Sequence, residues 1–277
     1  MSQKSILITG CSSGIGYDAA HSLAKRGWRV FATCRAEADC ERLRSEGLES
    51  FRLDYADNDS IHAAMTEVVA RTGGGLDALY NNGAYAIPGA MEDVPTDAMR
   101  AIFEANVFGW HELTNLVIPL MRAQGHGRIV NCSSVLGMVS MPWRGAYNAT
   151  KYAVEAMSDT LRMELRRTGI KVVLIEPGPI TTAFRANAKL QFDRWIDWEN
   201  AALEPLYRNN LVKRLNDATQ KKDRFELPPS AVTAKLIQAL ESVNPRPRYF
   251  VTVNTYLANF MRRLLPTRLI DMILAGG

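Results

Sequence analysis

Ser5-Ile6-Leu7-Ile8-Thr9-Gly10-Cys11-Ser12-Ser13-Gly14-Ile15-Gly16 is the stretch whose reading decides the fold. Ile6, Leu7 and Ile8 are continuously apolar. A strand with one wet face would alternate, so this run predicts a strand covered by helices on both sides. It runs into three closely spaced glycines, and a helical pattern follows over 17–25. Glycines at a strand-to-helix junction let the backbone approach a phosphate, while the helix N-terminus offers free N–H groups and the positive end of its dipole. The arrangement points to a phosphate-binding turn. Taken alone, such a turn also serves as a tight connection with no ligand.

Outward from this turn, short apolar runs recur at 29–33, 51–53, 76–80, 128–132 and 171–175, with helix-compatible stretches between them. That alternation predicts parallel βαβ units and an α/β fold: a single-domain, Rossmann-like, doubly wound parallel sheet with helices on both faces. No low-complexity linker or internal repeat divides residues 1–277, so one domain is expected. Two segments stand apart. Residues 185–226 carry aromatics and charges without a strand pattern and read as a substrate-lid insertion. Residues 254–277 form an amphipathic C-terminal extension, with Leu257, Phe260, Met261, Leu264 and Leu265 beside Arg262, Arg263 and Arg268. Packing against the body or a partner subunit is the expected use of that apolar face, ahead of contact with a membrane surface.

The chain's 277 residues are 47% apolar and 22% charged, the composition of a globular protein that can bury a core. Its formal charge of +4 is scattered, so no nucleic-acid partner is expected. Cys11, Cys34, Cys40 and Cys132 show no C-x-x-C spacing, and a chain of this length needs no disulfide staples; a reducing, cytoplasmic setting follows. The apolar run at the N-terminus is too short for an export signal or a membrane span. His21, His62, His111 and His126 are dispersed without metal-ligand spacing, so no metal is expected. No Gly-x-Ser-x-Gly elbow occurs, and hydrolase chemistry is disfavoured.

Tyr147 and Lys151 lie four apart in a helix-compatible stretch, which puts both side chains on one face about a turn apart. A tyrosine hydroxyl ordinarily titrates near pH 10, and a cation beside it favours the phenolate, bringing proton exchange with a substrate oxygen toward working pH. Such pairs are also common surface decoration. Ser134 follows the run at 128–132, placing it at a strand's carboxyl end, where open α/β sheets bind ligands. Its hydroxyl suits the stabilisation of a developing alkoxide. Ser133 is expected only to satisfy backbone groups.

The spacing Gly-x-x-x-Gly-x-Gly resembles that of the short-chain dehydrogenases/reductases, and the other marks of that family follow in order. They are Asn81-Asn82-Gly83-Ala84, Asn106 within Asn-Val-Phe-Gly, Ser134, Tyr147 with Lys151, and Pro177-Gly178-Pro179-Ile180. The resemblance covers residues 4–183 and, more weakly, a strand over 245–253. One departure is Gly83-Ala84, where the family usually has Ala-Gly. By resemblance, Asn106, Ser134, Tyr147 and Lys151 are the catalytic set. Asn106 holds a local helix distortion and positions Lys151 through water, and Lys151 also holds the nicotinamide ribose. The cofactor contacts implied are Gly10, Ser12, Ser13, Gly14, Ile15, Gly16, Asp54, Asn82, Gly83, Tyr147, Lys151, Pro177, Gly178, Ile180 and Thr182.

The second strand ends in Cys34-Arg35, where an NAD enzyme would place an acid for the ribose 2′-hydroxyl. A guanidinium there suits a 2′-phosphate, so NADP is the expected cofactor. The activity implied is reduction of an apolar small-molecule aldehyde or ketone by hydride from NADPH, with Tyr147 as proton donor. The motifs look most like the branch holding 17β-hydroxysteroid and retinol dehydrogenases and bacterial NADPH-dependent aldehyde reductases. A steroid or retinol-type alcohol dehydrogenase is the alternative, and an NADP-sensing protein without turnover a third reading. A homo-oligomer is compatible with the sequence. Phe192, Trp195, Trp198 and Tyr207, with Met138, Met141 and Trp143, are candidates to line the substrate pocket, though aromatics at helical spacing more often serve packing.

Overall fold

A computed structural model describes residues 3–217 and 222–275; positions 218–221 of the expected lid and 276–277 of the terminal extension lie outside the described residues. The strands are β1 (Ser5–Thr9), β2 (Arg29–Cys34), β3 (Glu49–Arg52), β4 (Ala78–Asn81), β5 (Gly127–Cys132), β6 (Ile170–Glu176) and β7 (Arg248–Phe250). They form one sheet in the order β3-β2-β1-β4-β5-β6-β7, with every pairing parallel. Central β1 has a neighbour on each edge, Ile8 lying opposite Ala32 and Tyr80, and all five of its residues are buried. That double coverage is why the Ile-Leu-Ile run is continuous.

The helices that matter for the site are α1 (Gly14–Lys25), α2 (Glu37–Ser45), α3 (Asn58–Thr72), α4 (Thr96–Phe103), α5 (Gly109–Gln124), α6 (Gly145–Glu164) and α7 (Phe184–Trp195). Helix α1 packs with a later helix, Pro229–Glu241, while α3 packs with α5 and α6 lies on β6. The strand order reverses between β1 and β4, the connection from β3 crossing over to β4. Crevices outside the carboxyl ends of the strands at such a switch point hold ligands in open α/β sheets.

A second buried cluster lies over the sheet's carboxyl end. It joins Ile87, Ile102 and Tyr147 to Phe192, Tyr207 and Leu211 from the segment after β6. That segment is α7 followed by short turns, including a π-helical turn at Tyr207–Val212. The chain ends in two amphipathic helices, Val253–Leu264 and Thr267–Ala275. The expected packing against the body is met by one row only, Ala258 and Leu274 joining Met138 and Val139. Phe260, Leu264 and Met272 stay 58%, 64% and 73% exposed, because the apolar stripe is wider than the row the body can cover. Among the described residues no helix is long and apolar enough to cross a membrane.

Candidate active site

The turn after β1 is held open for a ligand by its own sequence. Gly10 sits at φ +68, a left-handed backbone that a side chain would strain, and a Cβ there would come within 2.6 Å of Gly83 Cα. A Cβ on Gly16 would lie 2.3 Å from the Gly10 carbonyl oxygen. Asn82 braces the turn, its Nδ2 donating to the Thr9 and Gly10 carbonyls at 3.0 and 3.4 Å. Thr9 Oγ1 in turn accepts from the Asn82 and Gly83 amides at 2.9 and 3.2 Å. Asn82 thus faces the protein's own backbone. The Gly83-Ala84 order is accommodated because the Gly83 amide and Cα lie against Thr9 and Gly10.

Every cofactor and catalytic residue expected from the sequence except Gly16 and Asn106 lines one cleft of about 2270 Å³ along the carboxyl ends of the strands. That volume is more than twice the roughly 1,000 Å³ upper range of single small-molecule pockets, leaving room for a dinucleotide and a substrate together. Arg35 is exposed on the wall with no hydrogen bond or ion pair among the described residues. Asp54 makes a turn, Oδ1 accepting from the Ala56 amide at 3.1 Å, and lines the cleft as well. At the other end, Gly178 fits under Thr252, whose Oγ1 would stand 2.1 Å from an added Cβ. Thr182 packs its methyl toward Gly14, while its hydroxyl accepts from the Phe184 amide at 3.2 Å.

Tyr147 and Lys151 project from α6, 8% and 1% exposed. Lys151 Nζ donates to the Cys132 carbonyl at 2.7 Å and stands 4.5 Å from the Trp110 ring centroid and 5.5 Å from that of Tyr147. Burial pushes Lys151 down to about 8, partly opposed by Cys132 and Glu155. Burial also lifts the Tyr147 hydroxyl well above its ordinary range, with Cys132 adding to the rise and a hydrogen bond from Ser134 pulling it back. This differs from the lysine-dominated lowering expected from sequence, because the ammonium is held on a backbone carbonyl and over an indole. Ser134 caps a short turn, its Oγ accepting from the Leu136 amide at 3.1 Å. Ser133 departs from expectation: its hydroxyl is buried without a hydrogen-bond partner among the described residues, and only its amide bonds, to Ile175 O at 2.8 Å and Asn131 O at 3.1 Å.

Asn106 lies in a π-helical turn, Glu104–Phe108, between α4 and α5. A π turn inserts a residue and leaves backbone groups out of the α pattern, and such bulges concentrate at functional sites. Asn106 stabilises the distortion by spanning to Tyr85, Oδ1 accepting from its amide at 3.1 Å and Nδ2 donating to its carbonyl at 2.8 Å. A second contact runs 3.2 Å to Thr150 Oγ1, next to Lys151. The asparagine therefore links the turn before α5 to α6 beside Lys151, from outside the cleft.

Residues 4–192 match the family described as short chain dehydrogenase. The chain is a short-chain dehydrogenase. It is 43% identical to the uncharacterized oxidoreductase YbbO of Escherichia coli strain K12, over 99% of this chain and 95% of that one. Retinol dehydrogenase 16 of Mus musculus is 36% identical, over 99% of this chain and 88% of its own length. Among solved structures, a short-chain dehydrogenase from Streptomyces avermitilis superposes with a TM-score of 0.78 at 27% identity, covering 99% of this chain and 96% of that one.

Three features of this short-chain dehydrogenase escaped the sequence reading. Trp110 forms the ring under Lys151 and donates from Nε1 to Gly83 O at 2.8 Å; its place four residues after Asn106 was the available signal. Arg144, one turn before Tyr147, lines the cleft, and the signal was a lone charge after Met141-Pro142-Trp143. The third is a change of lining. Of the expected pocket residues, Met141 and Trp143 reach the cleft, but Met138, Phe192, Trp195, Trp198 and Tyr207 do not. Tyr207 is fully buried, its hydroxyl donating to Asp93 at 2.8 Å and accepting from the Ala90 amide, so this aromatic set holds the segment onto the body. Phe184, Leu190, Leu211 and Phe225 take the wall instead.

Proposed function

We propose that this oxidoreductase reduces aldehydes or ketones to alcohols with NADPH. The observation that carries the reading is one cleft that joins a glycine cradle and an unpaired Arg35 at one end to Ser134, Tyr147 and Lys151 at the other. Bound NADPH supplies the hydride that reaches the carbonyl carbon. The chain supplies the rest. Tyr147, kept protonated by burial, gives its proton to the carbonyl oxygen, and Ser134 donates a hydrogen bond to the charge that develops there. The Lys151 ammonium, 5.5 Å from the tyrosine ring, stabilises the phenolate left behind. Asn106 and Trp110 fix the lysine's place. The segment over 185–226 acts as the wall of the substrate side, and the four buried free thiols suit a reducing cytoplasm.

The cofactor half is tested by kcat/KM for NADPH and NADH. A guanidinium–phosphate pair contributes about 1.5–3 kcal/mol, so a preference on the order of 10- to 100-fold for NADPH is expected. Arg35→Glu is expected to remove it by repelling the 2′-phosphate. Equal values in the parent protein, or an unchanged ratio in the variant, count against the assignment. The substrate half is tested by NADPH oxidation with alkanals of graded length, a ketosteroid and retinal. Similarity to retinol dehydrogenase 16 favours alcohol oxidation on a retinoid or steroid as the second reading, and turnover confined to those compounds would select it.

The pH dependence follows from Lys151. Its amine loses its proton as pH rises through about 8, so kcat/KM for reduction is expected to fall through that range. In Lys151→Arg, whose guanidinium keeps its proton, the residual activity is expected to lose that limb; a limb at the same pH in both proteins assigns it elsewhere.

A further inference from the structure

Arg144 lines the cleft with no carboxylate at ion-pair distance among the described residues. It is half-buried on the cleft wall, immediately before α6, and its single hydrogen bond runs at 3.3 Å to the Trp143 carbonyl. Two further arginines stand near it: Arg185 and Arg214 share Asp223, at 3.2 and 2.8 Å. Asp223 is therefore already engaged twice, and Glu226 is turned to Thr181 Oγ1 at 2.6 Å and to the Asp223 amide. Beyond Pro179 the described cleft wall carries six cationic side chains against three acidic ones. Burial, with Arg214 and Arg185 adding to it and Asp223 partly opposing it, pushes Arg144 down to about 10.

Its placement is also actively held. Trp143 adopts φ 64, a left-handed backbone that is uncommon and costly for a bulky residue. The conformation is fixed by Trp143 packing on Tyr207 at 4.8 Å between ring centroids and by the Gly89 amide donating to Trp143 O at 3.1 Å. Arg144 then lies three residues before Tyr147, on the same side of the helix about one turn away. The intervening cleft surface includes Phe184, whose ring meets Tyr147 edge-on at 5.3 Å.

We infer that the carbonyl substrate is an oxo acid, with a carboxylate that pairs with Arg144 and a short apolar segment between that group and the carbonyl bound beside Tyr147. A carboxylate is the matched anion because a planar guanidinium engages it through two parallel hydrogen bonds. The inference rests on the carbonyl-reductase reading for chemistry but not for binding, so the two are tested apart.

Calorimetric titration of the whole protein with octanoate and with octan-1-ol measures the anion's contribution without turnover. Octanoate is expected to bind on the order of tenfold or more tightly, with the margin shrinking as salt rises from about 50 to 500 mM, a range that spans roughly a threefold change in screening length. In Arg144→Gln the margin is expected to vanish, and in Arg144→Lys to survive in part. Equal binding by the parent protein overturns the inference, and so does a margin that Arg144→Gln leaves intact while the variant melts cooperatively. In parallel, NADPH oxidation with 8-oxooctanoate and octanal is expected to give the oxo acid the higher kcat/KM by a similar factor. If octanoate binds through Arg144 but neither carbonyl is reduced, the anion site stands and the reductase reading fails. If octanal is reduced at least as well as 8-oxooctanoate, the reductase reading stands and the oxo-acid inference fails.

Discussion

Tyr147→Phe is expected to lower kcat for carbonyl reduction about a thousandfold while the Kd for NADPH changes by less than about twofold. General acid catalysis contributes roughly 10²–10⁴, and Tyr147, which lines the cleft, is the acid in the proposed reaction. The ring itself is retained by phenylalanine, so its edge contact with Phe184 and its place in the buried cluster around Ile87 and Ile102 persist. Burial has already raised the hydroxyl above its ordinary range, which keeps it protonated at any working pH and makes its absence, not its ionisation, the quantity measured. Stopped-flow single turnovers with an alkanal, beside fluorescence titration with NADPH, separate the two effects. Turnover within tenfold of the parent protein would move the proton to another donor on the cleft wall, such as Ser134.

The parts of this site that local sequence dictates were legible. A strand, a glycine turn and a helix start are adjacent in the chain, so their geometry follows from residues 5–16 alone, and β1 extends one residue beyond its Ile6–Ile8 run at each end. The same holds for Tyr147 and Lys151, which one helix places on one face. Arg35 was legible because it stands at the end of a strand whose neighbour is fixed by the sheet order. What was hidden depends on contacts between distant segments. The helix distortion that the resemblance implies at Asn106 is there, but its form, a π turn held by the spans to Tyr85 and Thr150, depends on those distant contacts. A left-handed tryptophan cannot be read from a run without glycine, and so the position of Arg144 was not seen. Periodicity also failed over 185–226, where the π turn at Tyr207–Val212 shifts the face by a residue and turns Tyr207 into the core. The fold thus follows from local pattern, and the substrate side from tertiary packing that breaks it.

The cradle itself gives the second large effect, with Gly16→Ala. The added methyl would lie 2.3 Å from the Gly10 carbonyl oxygen and 2.8 Å from Asn82 Nδ2, and the first of these is backbone that no rotamer change can move. Either the turn after β1 or the start of α1 must shift. The turn is pinned by Asn82 and Thr9, whose hydrogen bonds to it fall between 2.9 and 3.4 Å, so α1 is the part that yields. Moving α1 withdraws the helix N-terminus from the phosphate position and disturbs its packing on helix Pro229–Glu241. Overpacking of this kind costs about 1–3 kcal/mol, which for a chain of this size lowers Tm by roughly 2–12 °C. Loss of the aligned N–H groups is expected to weaken NADPH on the order of 100-fold, about 2.7 kcal/mol of binding. Gly27→Ala is the control. That glycine holds a left-handed backbone, at φ +85, but nothing lies within 4 Å of its added Cβ, so the substitution carries backbone strain without touching the cradle. A general penalty for replacing glycine would lower Tm in both variants and leave both affinities alone; the cradle argument requires the loss of affinity in Gly16→Ala only. Calorimetric melting with and without NADPH reads both quantities at once, and an unchanged ligand-induced rise in Tm for Gly16→Ala would show that α1 does not present its N-terminus to the cofactor.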